Sequence, residues 1–220
     1  MCSAMRYVSA CAPVFALTLL FAAPVAAQPL SFDGSWKEQG FLRFSSNDYV
    51  QNGGSLQVVS DGTVSLLWRA VPAAMRDTRQ ASWTWAVAEG VPPTDLRRKG
   101  GDDRNLAVYF AFTDAATAAT ANPNRATALL RNPNTKVLVY VWGDNDGRGT
   151  LQNSPYLAGM RTVILRPAGT GQHAERVDLA ADFARAFGGA PEVLMGVGIS
   201  ADSDDTDTKI RASITAPDLR

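Results

Sequence analysis

The chain has 220 residues, with 21 Lys and Arg balanced by 21 Asp and Glu and a mean hydropathy of −0.08. Nothing in such a balance suggests binding to nucleic acid or to an anionic membrane, and a monomer is expected. The length suits one sandwich or barrel with a sizeable core.

The first elements belong to export. Arg6 gives a short basic start, Val8 to Phe21 is an apolar run too short to span a bilayer, and Val25-Ala26-Ala27 places small residues where a signal peptidase cuts. Residues 1–27 are therefore expected to be a signal peptide, residues 28–220 a single periplasmic or secreted domain, and no transmembrane segment is expected to remain after cleavage. Cys2 and Cys11 both fall within the leader, so the chain from Gln28 onward has no disulfide and no cysteine-bound metal. Val8-Ser9-Ala10-Cys11 has the look of a lipidation motif, but its apolar run follows the cysteine instead of preceding it.

Beyond Gln28 the dominant period is two. Leu56 and Val58 alternate before Asp61-Gly62, and Val64, Leu66 and Trp68 alternate after it, which predicts a hairpin closed by a tight turn. Trp83, Trp85 and Val87 share one face of the next run. Ala107–Phe112, Lys136–Trp142, Thr162–Leu165, Val193–Ile199 and Ile210–Ile214 complete the predicted strands, rich in Val, Ile, Tyr, Phe and Trp. The Ala/Thr/Asn-rich stretch 114–134 reads as an excursion between two strands, with a helical turn at 126–131. One helix is expected near 178–188: Asp178 as N-cap, Leu179, Phe183 and Phe187 four apart, and Gly188-Gly189 as its end. Many strands without regular intervening helices predict a mainly β fold, an antiparallel two-sheet sandwich of jelly-roll type.

Several segments together resemble a known family. They are Lys99-Gly100-Gly101-Asp102-Asp103 before Val108-Tyr109-Phe110, then Val139-Tyr140-Val141-Trp142, Asp182-Phe183 with Phe187-Gly188, and Gly196-Val197-Gly198-Ile199 leading into Asp202-Ser203-Asp204-Asp205-Thr206. In that order they resemble the bacterial domain-of-unknown-function 3047 family, from about residue 55 to residue 219. The resemblance implies an exported bacterial β-sandwich with no established activity. It also leads one to expect a basic residue inside the strand after the Asp pair, where this chain has Leu106-Ala107.

The acidic loops are the candidate site. Asp102-Asp103, Asp144-Asn145-Asp146-Gly147 and Asp202-Ser203-Asp204-Asp205-Thr206-Asp207 each end a predicted strand, where a sandwich gathers its loops. Three readings stay open: side chains bonding their own turns, a calcium site on Asp102, Asp103, Asp202 and Asp204, or catalytic carboxylates. The pattern is no EF-hand, because aligning Gly147 with the loop glycine puts Trp142 at the first ligand position and Asn153 at the last. Glu38, Glu89, Glu175 and Glu192 sit in no recognised hydrolase motif, and the one histidine, His173, reads as an exposed turn residue, which argues against a Ser-His-Asp triad. Trp142, ending a strand before Gly143-Asp144, is a candidate aromatic platform for a sugar ring, whereas Trp83 and Trp85 read as core.

The candidate ligand-binding set is thus Asp102, Asp103, Trp142, Asp144, Asp202, Asp204 and Asp205. The leading expectation is a non-enzymatic sandwich binding a carbohydrate or cell-envelope glycan. Its alternatives are a carbohydrate-active hydrolase or lyase on the same loops, and a structural envelope protein.

Overall fold

The computed structural model describes residues 1–2, 28–40 and 46–220. The expected leader, with Arg6, Cys11 and the cleavage motif, lies outside them apart from Met1 and Cys2. Among the described residues no helix is long and apolar enough to cross a membrane.

Two sheets face each other. The first contains, numbered in chain order, β1 (Gln28–Pro29), β3 (Asp48–Gln51), β4 (Ser55–Asp61), β6 (Gln80–Glu89), β11 (Gly171–Asp178), β13 (Lys209–Thr215) and β14 (Asp218–Leu219). Here β6 pairs with β11 on one side and, end to end, with β13 and β14 on the other. The second sheet runs β2 (Lys37–Gly40), β5 (Val64–Ala70), β12 (Val193–Asp202), β7 (Arg104–Thr113), β8 (Lys136–Trp142), β10 (Met160–Arg166) and β9 (Leu151–Asn153). All pairs are antiparallel except β8 with β10, which run parallel from Val137 opposite Met160.

The core lies between the sheets. Trp83, Trp85 and Val87 project into it from β6 as their period predicts, against Phe110 of β7 and Tyr140 and Trp142 of β8. A helix, α3 (Leu179–Phe187), plugs one end: the Asp178 side chain accepts from the Ala181 N–H, Phe183 meets Phe112 edge to face with ring centroids 5.5 Å apart, and Gly188 follows at φ 77°. The excursion contains two short helices, α1 (Ala115–Thr120) and α2 (Ala126–Leu130).

Two expectations are corrected. The runs flanking Asp61-Gly62 do not form a hairpin: β4 pairs with β3 and β13, and β5 with β2 and β12. The turn exists, with Gly62 at φ 62°, but it carries the chain from one sheet to the other. A tight turn fixes a reversal and leaves partner choice to the larger faces that each strand can bury. Leu66 and Trp68 accordingly face the outside of the second sheet, and Leu67 joins the core between the sheets.

His173 is not in a turn. It lies within β11 opposite Trp85, half-buried, its ring 4.9 Å from that of Trp142. The strand escapes sequence reading because its exposed face is polar, as an edge strand's often is.

Candidate functional site

The outer face of the second sheet is also apolar, and only part of it is covered. Over β5 and β12 the excursion lies on it, anchored where Trp68 Nε1 donates to the Pro123 carbonyl at 2.8 Å. Gly196 makes room for that indole, since a Cβ there would stand 1.9 Å from Trp68 Cζ2. Beyond the excursion the same face opens into a cleft of about 750 Å³, floored by Leu66, Val139, Val141 and Met160 and bounded at one end by charged groups.

That end is built by an irregularity in the β7–β12 ladder. Ser200 lies opposite Ala107, but Asp202 lies opposite Arg104, so β7 holds one more residue than β12 over this stretch. Strict alternation would put Arg104 on the core face with Leu106 and Val108. The extra residue turns it outward, to the side of Tyr109.

Arg104 is the hub. Its Nη1 donates to the Asp102 carbonyl at 2.7 Å and forms ion pairs with Asp202 Oδ2 at 3.0 Å and Asp102 Oδ2 at 3.5 Å. Its Nη2 donates to the Tyr109 hydroxyl at 2.8 Å and to Ser200 Oγ at 3.4 Å. Burial opposes the guanidinium charge, and Tyr109, Asp202 and Asp102 around it more than offset that, holding its pKa above the ordinary value. Asp102 Oδ1 accepts from Tyr156 Oη at 2.7 Å. Burial pushes the Tyr156 phenol up to about 12, helped by the hydrogen bond to Asp102 and by that group's charge.

Asp202 is 5% exposed, and its Oδ1 meets no N–H or O–H donor. Burial pushes its carboxyl up to about 8; Arg104 pulls the other way, while the charges of Asp103 and Asp102 and a hydrogen bond with Asp204 add to the rise. A carboxyl so placed holds its proton at neutral pH and is able to donate it. Ligand oxygens of Asp103, Asp202 and Asp204 lie within 4.8 Å of one another, so among the described residues these three could hold a cation. Asp102 is not among them; it is turned toward Arg104 and Tyr156.

The sequence-predicted set divides. Asp102, Asp202, Asp204 and Asp205 line the cleft. Asp103 lies behind them, fully buried, with Oδ2 accepting from the Thr206 N–H at 2.7 Å and from its hydroxyl at 2.6 Å. Asp144 serves another loop, with Oδ2 accepting from the Leu96 N–H and Gln152 Nε2 and Oδ1 from the Asp146 N–H. Trp142 offers no platform: it is 1% exposed, because its place in β8 turns it into the core. Sequence reasoning missed Tyr109, hidden in an apolar run, and Tyr156, in a loop without period. Leu106 and Ala107, where the resemblance led one to expect a basic residue, are both fully buried within β7, whose first residue is Arg104.

Fold and cleft together define a two-sheet β-sandwich with a polar-ended groove on one outer face. The family described as "Protein of unknown function (DUF3047)" matches residues 34–216, and the chain belongs to it. No curated protein matches. Among solved structures the chain is similar to the xyloglucanase domain of NopAA, a type three effector from Sinorhizobium fredii, in complex with cellobiose. That likeness has a TM-score of 0.47 and 10% identity and covers 84% of this chain and 92% of the other. It is also similar to the family 11 xylanase from Neocallimastix patriciarum, with a TM-score of 0.39, 10% identity, and coverage of 89% and 99%. At such identities the likeness is one of architecture.

Proposed function

We propose that this chain is an exported, non-enzymatic binding protein that takes a carbohydrate of the cell envelope or its surroundings in the cleft on the second sheet. The observation that carries the reading is the cleft's composition. An apolar floor runs from Leu66 to Met160 and ends at Arg104, Asp202, Asp102 and Tyr156, fixed against one another. Sites for small ligands join apolar walls to a few convergent polar groups in this way, and a sugar presents apolar C–H faces edged by hydroxyls. Export is supported by the apolar run ahead of Val25-Ala26-Ala27.

Binding is favoured over hydrolysis by what the carboxyls already do. Asp102 and Asp202 both lie against one guanidinium nitrogen, and Asp102 also accepts from Tyr156, whereas hydrolysis needs one carboxyl to act as acid and a second to attack or to activate water. Hydrolysis is the second reading, supported by the raised pKa of Asp202. A glycan-array screen of the protein purified after export, with product analysis of every hit, tests both. Bound and unaltered glycans are expected. Cleaved products that disappear in Asp202→Asn would establish the hydrolase instead, and an array without hits would sink both.

A further inference from the structure

On the other side of β10 from the cleft, the margin of the sandwich is lined with arginines. Arg161 and Arg166 of β10 lie opposite Leu138 and Trp142 of β8, both of which face the core, so both arginines turn to the inner side of their sheet. Glu175 of β11 bridges the two sheets there. Its Oε1 accepts from Arg166 Nε at 2.7 Å and its Oε2 from Arg148 Nη1 at 2.9 Å. Arg185 of α3 joins the same margin, donating from Nη1 to the Gly149 carbonyl at 2.9 Å, and the Arg161 guanidinium lies 5.4 Å from the ring centroid of Phe187 on that helix.

The charges do not cancel. Among the described residues the ion pairs of these four arginines go to two carboxyls, Glu175 and Asp182, and Arg161 has no acidic partner, its Nη1 donating to the Ala158 and Met160 carbonyls. One guanidinium neutralises a buried carboxylate, so the second on Glu175 is a surplus positive charge. Depth separates the two signs. The Glu175 side chain is 0% exposed, whereas those of Arg148, Arg185 and Arg166 are 49%, 44% and 29% exposed. Arg166 meets Glu175 through Nε, which leaves its two terminal nitrogens without a hydrogen bond among the described residues. Negative charge lies behind, and N–H donors stand in front.

We infer that this margin binds the anionic groups of an acidic glycan, carboxylates or phosphates carried along an extended chain. The inference rests on the carbohydrate reading for the kind of chain, and it adds a second site to the cleft. A guanidinium is a planar fork that fits either oxyanion with parallel hydrogen bonds, and all four cations here are arginines. From Arg161 to Arg166 the strand runs about 17 Å at 3.3 Å per residue, so a single small anion covers one end and a chain with repeated anions reaches both. Glu175 holds Arg148 and Arg166 side by side before any ligand arrives. Less side-chain entropy then remains to be lost on binding.

The test is calorimetric titration of the exported protein with a cello-oligosaccharide, an oligogalacturonide and a phosphorylated mannan oligosaccharide of equal length, and with a single-stranded DNA of matched charge. At least one acidic glycan is expected to bind about fivefold or more tighter than the neutral one, as exposed charge pairs imply, with an advantage that shrinks as salt rises. Arg148→Gln and Arg161→Gln should each remove most of that advantage. Arg211→Gln, which takes the same charge from an exposed site on β13, should leave it intact. Arg161 has no carboxylate partner to strand, so its variant decides the matter even where Arg148→Gln fails to fold. Acidic glycans that bind no tighter than the neutral one, or an Arg211→Gln loss equal to that of Arg161→Gln, would overturn the inference and leave the carbohydrate reading standing. DNA that binds more tightly than both acidic glycans would overturn it in favour of a nucleic-acid surface. If none of the three glycans binds, the carbohydrate reading fails and the inference with it.

Discussion

The two faces of the β12–β7–β8 triplet are both apolar, and they are built for different ends. The inner face carries large rings: Phe110 and Tyr140 meet edge to face at 5.8 Å, and Trp142 lies 5.6 Å from Trp85 across the sandwich. The outer face carries Ala107, Ala111, Val137, Val139 and Val141, with Tyr109 as its one ring on these strands. Large rings fill the space between sheets to close packing. Small side chains leave room above the sheet, which the excursion fills at one end and the cleft occupies at the other. Residue size, more than polarity, thus separates the packing face from the face that carries the site.

The sharpest way to break the comparison is to empty the inner face. Trp85→Ala removes a fully buried ring that also donates from Nε1 to Glu175 Oε1, where Arg166 and Arg148 converge. A loss of about 4 kcal/mol in urea unfolding is expected, from the cavity and from the weakened polar cluster together. A loss below about 1 kcal/mol would mean that the sandwich does not depend on this packing.

Overfilling the outer face comes next. Gly196→Ala puts a Cβ where the Trp68 ring already stands. The indole must move, and with it the bond from Nε1 to the Pro123 carbonyl that ties down the excursion. About 2 kcal/mol of destabilisation is expected, with a red-shifted tryptophan emission. An unchanged spectrum and stability would show that the Gly196-Val197-Gly198 pair of glycines is not there to seat the ring.

The same contrast explains what could be read in advance. β6 and α3 were legible because each has one buried face and therefore a clean period, as Trp83, Trp85 and Val87 show for the strand and Leu179 and Phe183 for the helix. β7 and β8 were legible as strands, but a run buried on both sides does not reveal which parity faces the core, and Trp142 was therefore open to reading as a surface platform. Asp102, Asp202, Asp204 and Asp205 announced themselves as acidic groups at strand ends. Arg104 was visible beside them, but its outward turn depends on the extra residue in the β7–β12 ladder, a property of a pair of strands and of neither alone.

The smallest expected effect sharpens the comparison at that irregularity, where an ionisable group is buried on the outer face. The folded-state pKa of Asp202, about 8, lies above the ordinary carboxylate value of 3.8. Between these two pH values the folded protein keeps a proton that the unfolded chain has released. The corresponding stabilisation is complete below the unfolded value and is lost as pH rises through the folded one. Asp202→Asn removes this titration and leaves Arg104 its contacts with the Asp102 carbonyl and the Tyr109 hydroxyl. At pH 4, where Asp202 is protonated and close in shape to Asn, variant and parent should agree to within about 1 kcal/mol. By pH 8 the variant should be the more stable by roughly 1 to 2 kcal/mol, well short of the full linkage, because the Arg104 charge compensates part of it. The other carboxyls titrate in both proteins and largely cancel in the difference. Urea midpoints across this range measure it. A variant that becomes the less stable of the two as pH rises would show that Asp202 is ionised in the folded state and that its pair with Arg104 holds the end of the cleft together by charge.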